Sequence, residues 1–437
     1  MIRKIHIIKY NKIFQNKLNI SFKELSEIEI EIIPCPNKFG NFIRIYNIQW
    51  EKYYHIFFND SKEEITRHYL TEKDKVNKIR IIIDHQVESL NGLFFGCHCI
   101  ESIDFIKFNR NNIINMNNMF ACCSNLKKIN FTNFNSKNVK DMSYLFFKCL
   151  NIKELNIYNF ETSNLIKFEK MFYGCSNLKI LNISNFNIPN ITEISYIFQG
   201  LSYLKKLSLS HFNIPSLTNI SNMFYGCSSL KELDLSHFCM QNLRDMNYFF
   251  SGCSALENLN LSHFNIPNIT NMRFLFYKCS ALKELNLSYF NTNNLIDMSN
   301  CFEGCSSLQR INFTDFNTSK VNNMSKMFNG CSSLKEIKFS NFNTQNVAGV
   351  SFFFNKCSSL EKLDISNFNT ENVTNMSHMF NGCKLINELN LSYFDTHNVK
   401  NMNYMFNGCS SIRELDLSNF NTQNLEIMVK MFNGCSL

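Results

Sequence analysis

The chain has 437 residues, 45% of them hydrophobic, with 44 Phe, 18 Cys and 18 Met beside 1 Trp, 13 Gly and 5 Pro. Abundant aromatics with 18% charged residues exclude a disordered chain, and scarce Gly and Pro exclude a collagenous or linker-like one. The formal charge of +8 divides into 15 Lys+Arg against 12 Asp+Glu in residues 1–90 and 29 against 24 beyond, with no basic block, so no nucleic-acid partner is expected.

From the N-terminus, Lys9 and Lys12 interrupt the apolar Ile5, Ile7 and Ile8 before the core of a secretion signal can form, which makes an intracellular location the expectation from the residues. No run of 18 apolar residues occurs anywhere, so no membrane span is expected. Alternating apolar and polar residues at 4–10, 27–33 and 42–48 predict strands, with Pro34 and Pro36 bounding a turn. Residues 61–76, rich in Glu and Lys, predict a helix or a charged connection. Residues 1–76 thus read as a small β-rich N-terminal domain that caps the remainder of the chain. It holds His6, His55, His68 and Cys35 but no nucleophile, phosphate-loop or metal motif, so no enzyme activity and no cofactor are expected.

Residues 77–437 obey a ruler of 26 residues, the mark of a solenoid or array. Cysteines stand at 97, 123, 149, 175, 227, 253, 279, 305, 331, 357, 383, 409 and 435, with Leu201 filling the one gap. Counting from each of these positions, the site at +11 is Phe in all thirteen coils, and the site three before is Phe fourteen times; the two columns absorb 27 of the 44 Phe. Apolar residues at +6 and +8 alternate with polar ones at +5, +7 and +9, the pattern of a short half-buried strand. Those at +16, +19, +22, +23 and +26 follow the spacing of a helical face, with Asn at +15 (Asn372, Asn398) as its N-cap and Gly before the cysteine, present in ten of fourteen coils, as its C-cap. Cys122, Lys148, Lys278 and Lys356 interrupt that Gly column and predict a distorted turn or a strain cost. The expected fold class is therefore α/β: a solenoid of about 13 strand-turn-short-helix coils with a parallel sheet, covering 77–437, after a shortened first half-coil that includes residues 79–83. One coil cannot bury its own apolar ring, so stability must come from stacking.

The unit L-x-x-L-x-L-S-x-F-N-T-x-N-V-x-x-M-x-x-M-F-x-G-C-S-S, seen at 360–385 and 412–437 with local substitutions, resembles the leucine-rich repeat family, and within it the BspA-like surface proteins. The resemblance implies a right-handed solenoid used for protein-protein or host-surface adhesion, a cell-surface location, and no catalytic residues. Only Ser436 and Leu437 follow Cys435, so the array is expected either to be part of a longer one or to use its last edge for a partner or for self-association.

The cysteine ladder faces inward and accepts Leu201, which predicts free thiols acting as small buried apolar groups, with no metal. His211, His237 and His263 share the +10 site of three successive coils; they read as an echo of the repeat, although stacked imidazoles could titrate together or hold a metal. The +7 column is Asp104, Asn130, Asn156, Asn182, Asp234, Asn260, Asn286, Asn312, Asp364, Asn390 and Asp416, interrupted by Ser208 and Lys338. These side chains should point out of the sheet, either satisfying one another or offering hydrogen bonds to a partner. The +5 column varies most, with Glu232, Glu284, Arg310, Glu336, Lys362, Glu388 and Glu414 among its members, and is the expected seat of specificity. Together the two columns form the candidate interaction face for an unidentified protein or cell-surface macromolecule.

Overall fold

The computed structural model describes residues 27–437 except 86, 109, 210, 211, 213, 236, 237, 239, 263, 340, 341 and 437. The expected strand at 4–10 lies outside the described residues. The chain forms two compact units, Met1–Ile191 and Thr192–Leu437.

In the first unit, β1 (Ile28–Pro34), β3 (Tyr54–Phe58), β5 (Ile79–Ile83), β6 (Ile100–Phe108) and β7 (Lys128–Asn130) make one sheet in the order β3-β5-β1-β6-β7. Strand β1 runs antiparallel to both β5 and β6, while β6 and β7 run parallel. The edge that the first coil would otherwise expose is thus hydrogen-bonded to β1. Alternation sets the faces: Ile28, Ile30 and Ile32 are buried with Ile79, Ile81 and Ile83, and Glu29 turns outward to Lys107 (3.0 Å) and Arg80 (3.7 Å). Residues 79–83, read from the sequence as part of the first half-coil, therefore belong to this antiparallel arrangement.

Two other N-terminal expectations are corrected. The segment 42–48 is not a strand: Phe42 and Ile43 are buried in a connection between β2 (Gly40–Asn41) and a 3-10 turn at Ile48–Tyr53. Residues 61–76 hold no helix; they contain β4 (Tyr69–Leu70), paired with β2. Asp74 accepts from the Thr71 N–H (2.6 Å), the Thr71 hydroxyl (2.8 Å) and Arg67 (2.7 Å), and such local side-chain bonds outcompete a helix. The turn at Pro36 follows β1 as its two prolines require.

Beyond β7, short parallel strands recur: β8 (Glu154–Asn156) with β9 (Ile180–Asn182) in the first unit; β10 (Lys206–Ser208) with β11 (Glu232–Asp234), β12 (Glu284–Asn286) with β13 (Arg310–Asn312), and β14 (Glu336–Lys338) with β15 (Lys362–Asp364) in the second. The result is a β-solenoid in which ten coil positions carry a strand, rather than the thirteen expected. Segments 258–260, 388–390 and 414–416 are without strand pairing. They can be, because stacking does not rest on the strands.

It rests on the corner that the sequence predicted to be a short helix. No α-helix occurs among the described residues. In the coil around His378, the N–H groups of Met376, His378, Phe380 and Gly382 donate to carbonyls of Asn401, Asn403, Met405 and Asn407 in the next coil, at 2.7 to 2.9 Å. The intervening Met379, Asn381 and Cys383 donate three residues back, to Met376, His378 and Phe380. A helix would spend every N–H inside its own segment; here alternate groups cross to the neighbour. The third residue of the first and last of these turns is left-handed, His378 at φ 57° and Gly382 at φ 76°, which suits a type II turn and stops helix propagation. Buried Met376, Met379, Phe380 and Cys383 keep intervals of three, one and three, so the burial pattern imitates a helical face.

The Gly column sits at the second left-handed site. Cys122, Lys148, Lys278 and Lys356 adopt it too, at φ 53° to 62°, so those coils keep the common geometry and carry the strain instead. Gly304 shows why Gly follows a Lys coil: a Cβ there would meet Lys278 Cγ at 3.1 Å. Asn at +15 is no helix cap. Its amide donates to a carbonyl of the preceding coil, Asn372 to Gln345 and Asn398 to Glu371, both at 2.8 Å.

Inside, the Phe columns stack with nearly parallel planes. Phe94, Phe120 and Phe146 lie 5.5 to 5.7 Å apart in the first unit, and Phe276, Phe302 and Phe328 lie 5.4 to 5.6 Å apart in the second. A buried hydroxyl column at +13 escaped the sequence reading. Thr344 Oγ1 accepts from Asn369 N–H at 2.7 Å and donates to Asn369 C=O at 2.9 Å; Thr318 does the same to Asn343. Replacing Thr344 by Val keeps the shape and strands both backbone groups. We expect Thr344→Val to lose about 2–4 kcal/mol, read as a lower urea midpoint, and Thr344→Ser to lose less; equal midpoints for Val and Thr would remove the hydroxyl column from the account of stability.

Candidate interaction surface

Each three-residue strand turns its middle residue inward and its outer two outward, so Glu284 and Asn286 are exposed on either side of buried Leu285. Glu232, Asp234, Asn260, Asn286, Arg310, Asn312, Glu336, Lys362, Asp364, Glu388, Asn390, Glu414 and Asp416 are all exposed in the second unit. In the first unit Asn156 is exposed, Asn130 and Asn182 are half-buried, and Asp104 is half-buried opposite Glu31 of β1. Parallel register brings neighbours of the +5 column together: Lys206 Nζ lies 2.6 Å from Glu232, and Arg310 lies 3.5 Å from Glu284. Exposed pairs of this kind add little stability, about 0 to 1 kcal/mol, and leave the charges available to a partner.

The +7 column is partly self-satisfied. Oδ1 of Asn260, Asn286, Asn312, Asp364, Asn390 and Asp416 accepts the N–H of the residue two further on, at 2.9 to 3.1 Å. These Asx turns follow the strands ending at Asn286, Asn312 and Asp364 and recur after the unpaired segments 258–260, 388–390 and 414–416. The bonds from Ser366 hold the Asp364 carboxyl below its ordinary pKa, and those from Ser418 do the same for Asp416. Side chains at +7 thus accept a turn N–H, while those at +5 make exposed ion pairs, Lys206 with Glu232, Arg310 with Glu284, and Glu336 with Lys338 of its own strand at 3.5 Å. In the second unit the face opens into a trough of about 1130 Å³ lined by Lys206, Lys231, Glu232, Asp234, Asn258, Glu284, Tyr289 and Arg310, and a second of about 450 Å³ between Arg310 and Lys338.

The ladder cysteines from Cys97 to Cys409 are buried. From Cys123 onward each ladder Sγ donates to the carbonyl of a Phe 29 residues earlier, as Cys305 does to Phe276 and Cys331 to Phe302 at 3.1 Å, while Cys97 faces the Phe95 carbonyl at 3.9 Å. Burial pushes Cys175 and Cys305 up to about 12. His211, His237 and His263 lie outside the described residues. Of the N-terminal candidates, His55 sits between Glu64 (3.0 Å) and Asp84 (3.2 Å), and His68 faces Glu51 at 3.5 Å; His6 lies outside the described residues.

Sequence reasoning missed the corner face. Asn329, Asn355, Asn381, Asn407 and Asn433 form a row in which each amide donates to the Oδ1 before it, at 2.6 to 2.9 Å, and Asn329 donates to Glu303 at 2.8 Å. Beside it the left-handed Phe352, His378 and Tyr404 stack at 4.3 and 4.8 Å. Five consecutive Asn at +24 were a readable signal; the ring column was not, because its members differ in type.

The family model described as "Mycoplasma protein of unknown function, DUF285" matches residues 88–206, 176–285, 245–363 and 349–437. No curated protein matches the chain. Among solved structures, a leucine-rich repeat protein from Eubacterium ventriosum is similar at 15% identity, covering 77% of this chain and 90% of that one with a TM-score of 0.30. The TLR13-ssRNA13 complex is similar at 17% identity, covering 77% and 61%, with a TM-score of 0.23.

The geometry of the thiols predicts a sharp division under iodoacetamide at pH 8. Cys35 and Cys122, which are half-buried, should alkylate in the native protein, whereas the ladder from Cys123 to Cys409 should alkylate only after unfolding. Native labelling of Cys305 or Cys331, read by peptide mass, would contradict it.

Proposed function

The chain belongs to the DUF285 family, and on that premise we propose that it is a non-enzymatic scaffold for protein-protein interaction whose outer sheet face receives the partner. The observation that carries this reading is the contrast between two columns only two residues apart. Residues at +7 are tied into strand-closing turns, while those at +5 change from coil to coil above a uniform backbone, as Glu284, Arg310, Glu336 and Lys362 do. A fixed rung with a free choice of charge is what a recognition surface requires. Open troughs suit a macromolecule better than a small substrate. The raised pKa of the ladder thiols argues against nucleophilic chemistry there. Among the described residues no helix is long and apolar enough to cross a membrane. The resemblance to BspA-like repeats supports a cell-surface partner and an adhesive role as the finer form of the proposal.

Two variants of the full chain separate this face from the rest. Glu284→Ser, Arg310→Ser, Glu336→Ser and Lys362→Ser together strip the +5 column, while Asn355→Ser, Asn381→Ser and Asn407→Ser strip the corner row. Exposed substitutions of the first kind should leave stability within about 0.5 kcal/mol each. Proteins captured by cross-linking in cells producing the chain should fall about tenfold with the first variant, as expected for a loss of about 1.4 kcal/mol of binding, and persist with the second. Undiminished capture by the first variant would sink the proposal.

A further inference from the structure

The end of β1 brings together two cysteines outside the ladder. Pro34 lies opposite Ile100 of β6, and antiparallel register carried one residue further sets Cys35 opposite Cys99. The Cys35 N–H donates to the Cys99 carbonyl at 2.7 Å, so pairing does continue past Pro34. Opposed residues in antiparallel strands share a face, with Cα atoms about 4.5 to 5.5 Å apart. A disulfide bridges about 4.4 to 6.8 Å. Pro34 and Pro36 fix the backbone on both sides of Cys35, which limits the freedom lost when a bond forms.

The two thiols also differ in a way that orders their chemistry. Cys35 is half-buried and open to a reagent. Cys99 is buried, and its Sγ donates to the carbonyls of Gly40 and Asn41 at 3.4 and 3.2 Å. Burial first, and then the neighbouring Cys35, push its pKa up to about 11. The ladder cysteines from Cys97 to Cys409, though also stacked, are buried by the coils around them.

We propose that Cys35 and Cys99 are a disulfide-forming pair that, on oxidation, staples the N-terminal sheet to the strand of the first coil. With a low-molecular-weight disulfide such as oxidised glutathione as oxidant, the Cys35 thiolate attacks one glutathione sulfur and releases the other as a thiolate. Cys99 then loses its proton and its sulfur displaces the remaining glutathione from Cys35. One disulfide is exchanged for another; the protein dithiol is oxidised, and its two protons end on two glutathione thiols.

The test uses the full chain incubated with oxidised glutathione, blocked with a maleimide, digested without reduction and read by mass spectrometry. The expected product is a peptide pair joined through Cys35 and Cys99 that separates on reduction. The oxidised chain should melt about 4 °C higher than the reduced one, and Cys35→Ser should abolish both the cross-link and the shift. Cys99→Ser should leave Cys35 as a glutathione adduct; if that buried variant does not fold, Cys35→Ser alone carries the control. Cys35 recovered from the unsubstituted chain as a glutathione adduct, as a free thiol, or joined to Cys97 or any other cysteine would overturn the proposal.

Discussion

Everything in this fold depends on how the corner of each coil distributes its backbone hydrogen bonds. In coils such as that around His378, four N–H groups cross to the next coil and three close turns within their own. That division fixes the spacing between coils and requires two left-handed residues in every repeat, at a cost of roughly 1–2 kcal/mol where the residue is not Gly. The inter-coil bonds offset this cost only when a neighbour is present, so each coil is conditional on the next. The 26-residue period tolerates no insertion for the same reason: one extra residue would put every crossing N–H out of line with its carbonyl.

Much of this was legible in the sequence. The period, the two Phe columns and the inward cysteines were all readable, because burial constrains residue type and repetition exposes the constraint. The corner was misread because its buried residues keep helical intervals, and periodicity reports which side chains are inside without reporting where the N–H groups go. Left-handed sites are normally betrayed by Gly or Asn. Here the second site in each coil is mostly Gly, but the first is Gly or Asn only at Gly92, Asn118, Asn222 and Asn300 and elsewhere holds residues such as Tyr144, Lys170, Phe274 and Tyr404, which carry no such signal. The Thr344 column was overlooked for a related reason: Thr in a polar stretch reads as solvated, and only the structure reveals that its hydroxyl replaces a backbone partner.

The N-terminal segment was harder still. Its strands are not repeated, so each expectation rested on local alternation alone. That sufficed for β1, where Ile and Glu alternate under two neighbours, and failed at 42–48, where Phe42 and Ile43 are buried without pairing. The candidate face was legible as two polar columns, yet the sequence could not separate their roles. The distinction between +5 and +7 emerges only from the Asx turns, which bind the +7 oxygens to the chain and make no use of the +5 side chains.

The amide row on the corner has an electrostatic consequence. Its five Asn side chains donate in one direction, each toward the preceding coil, so their dipoles add rather than cancel, as peptide dipoles do in a helix. The donor end of that array is occupied by Glu303, whose carboxylate accepts from Asn329. Backbone amides of the same corner point the opposite way, toward the next coil. The second unit thus carries two antiparallel lines of partial charge side by side, and a carboxylate stands where the shorter one begins.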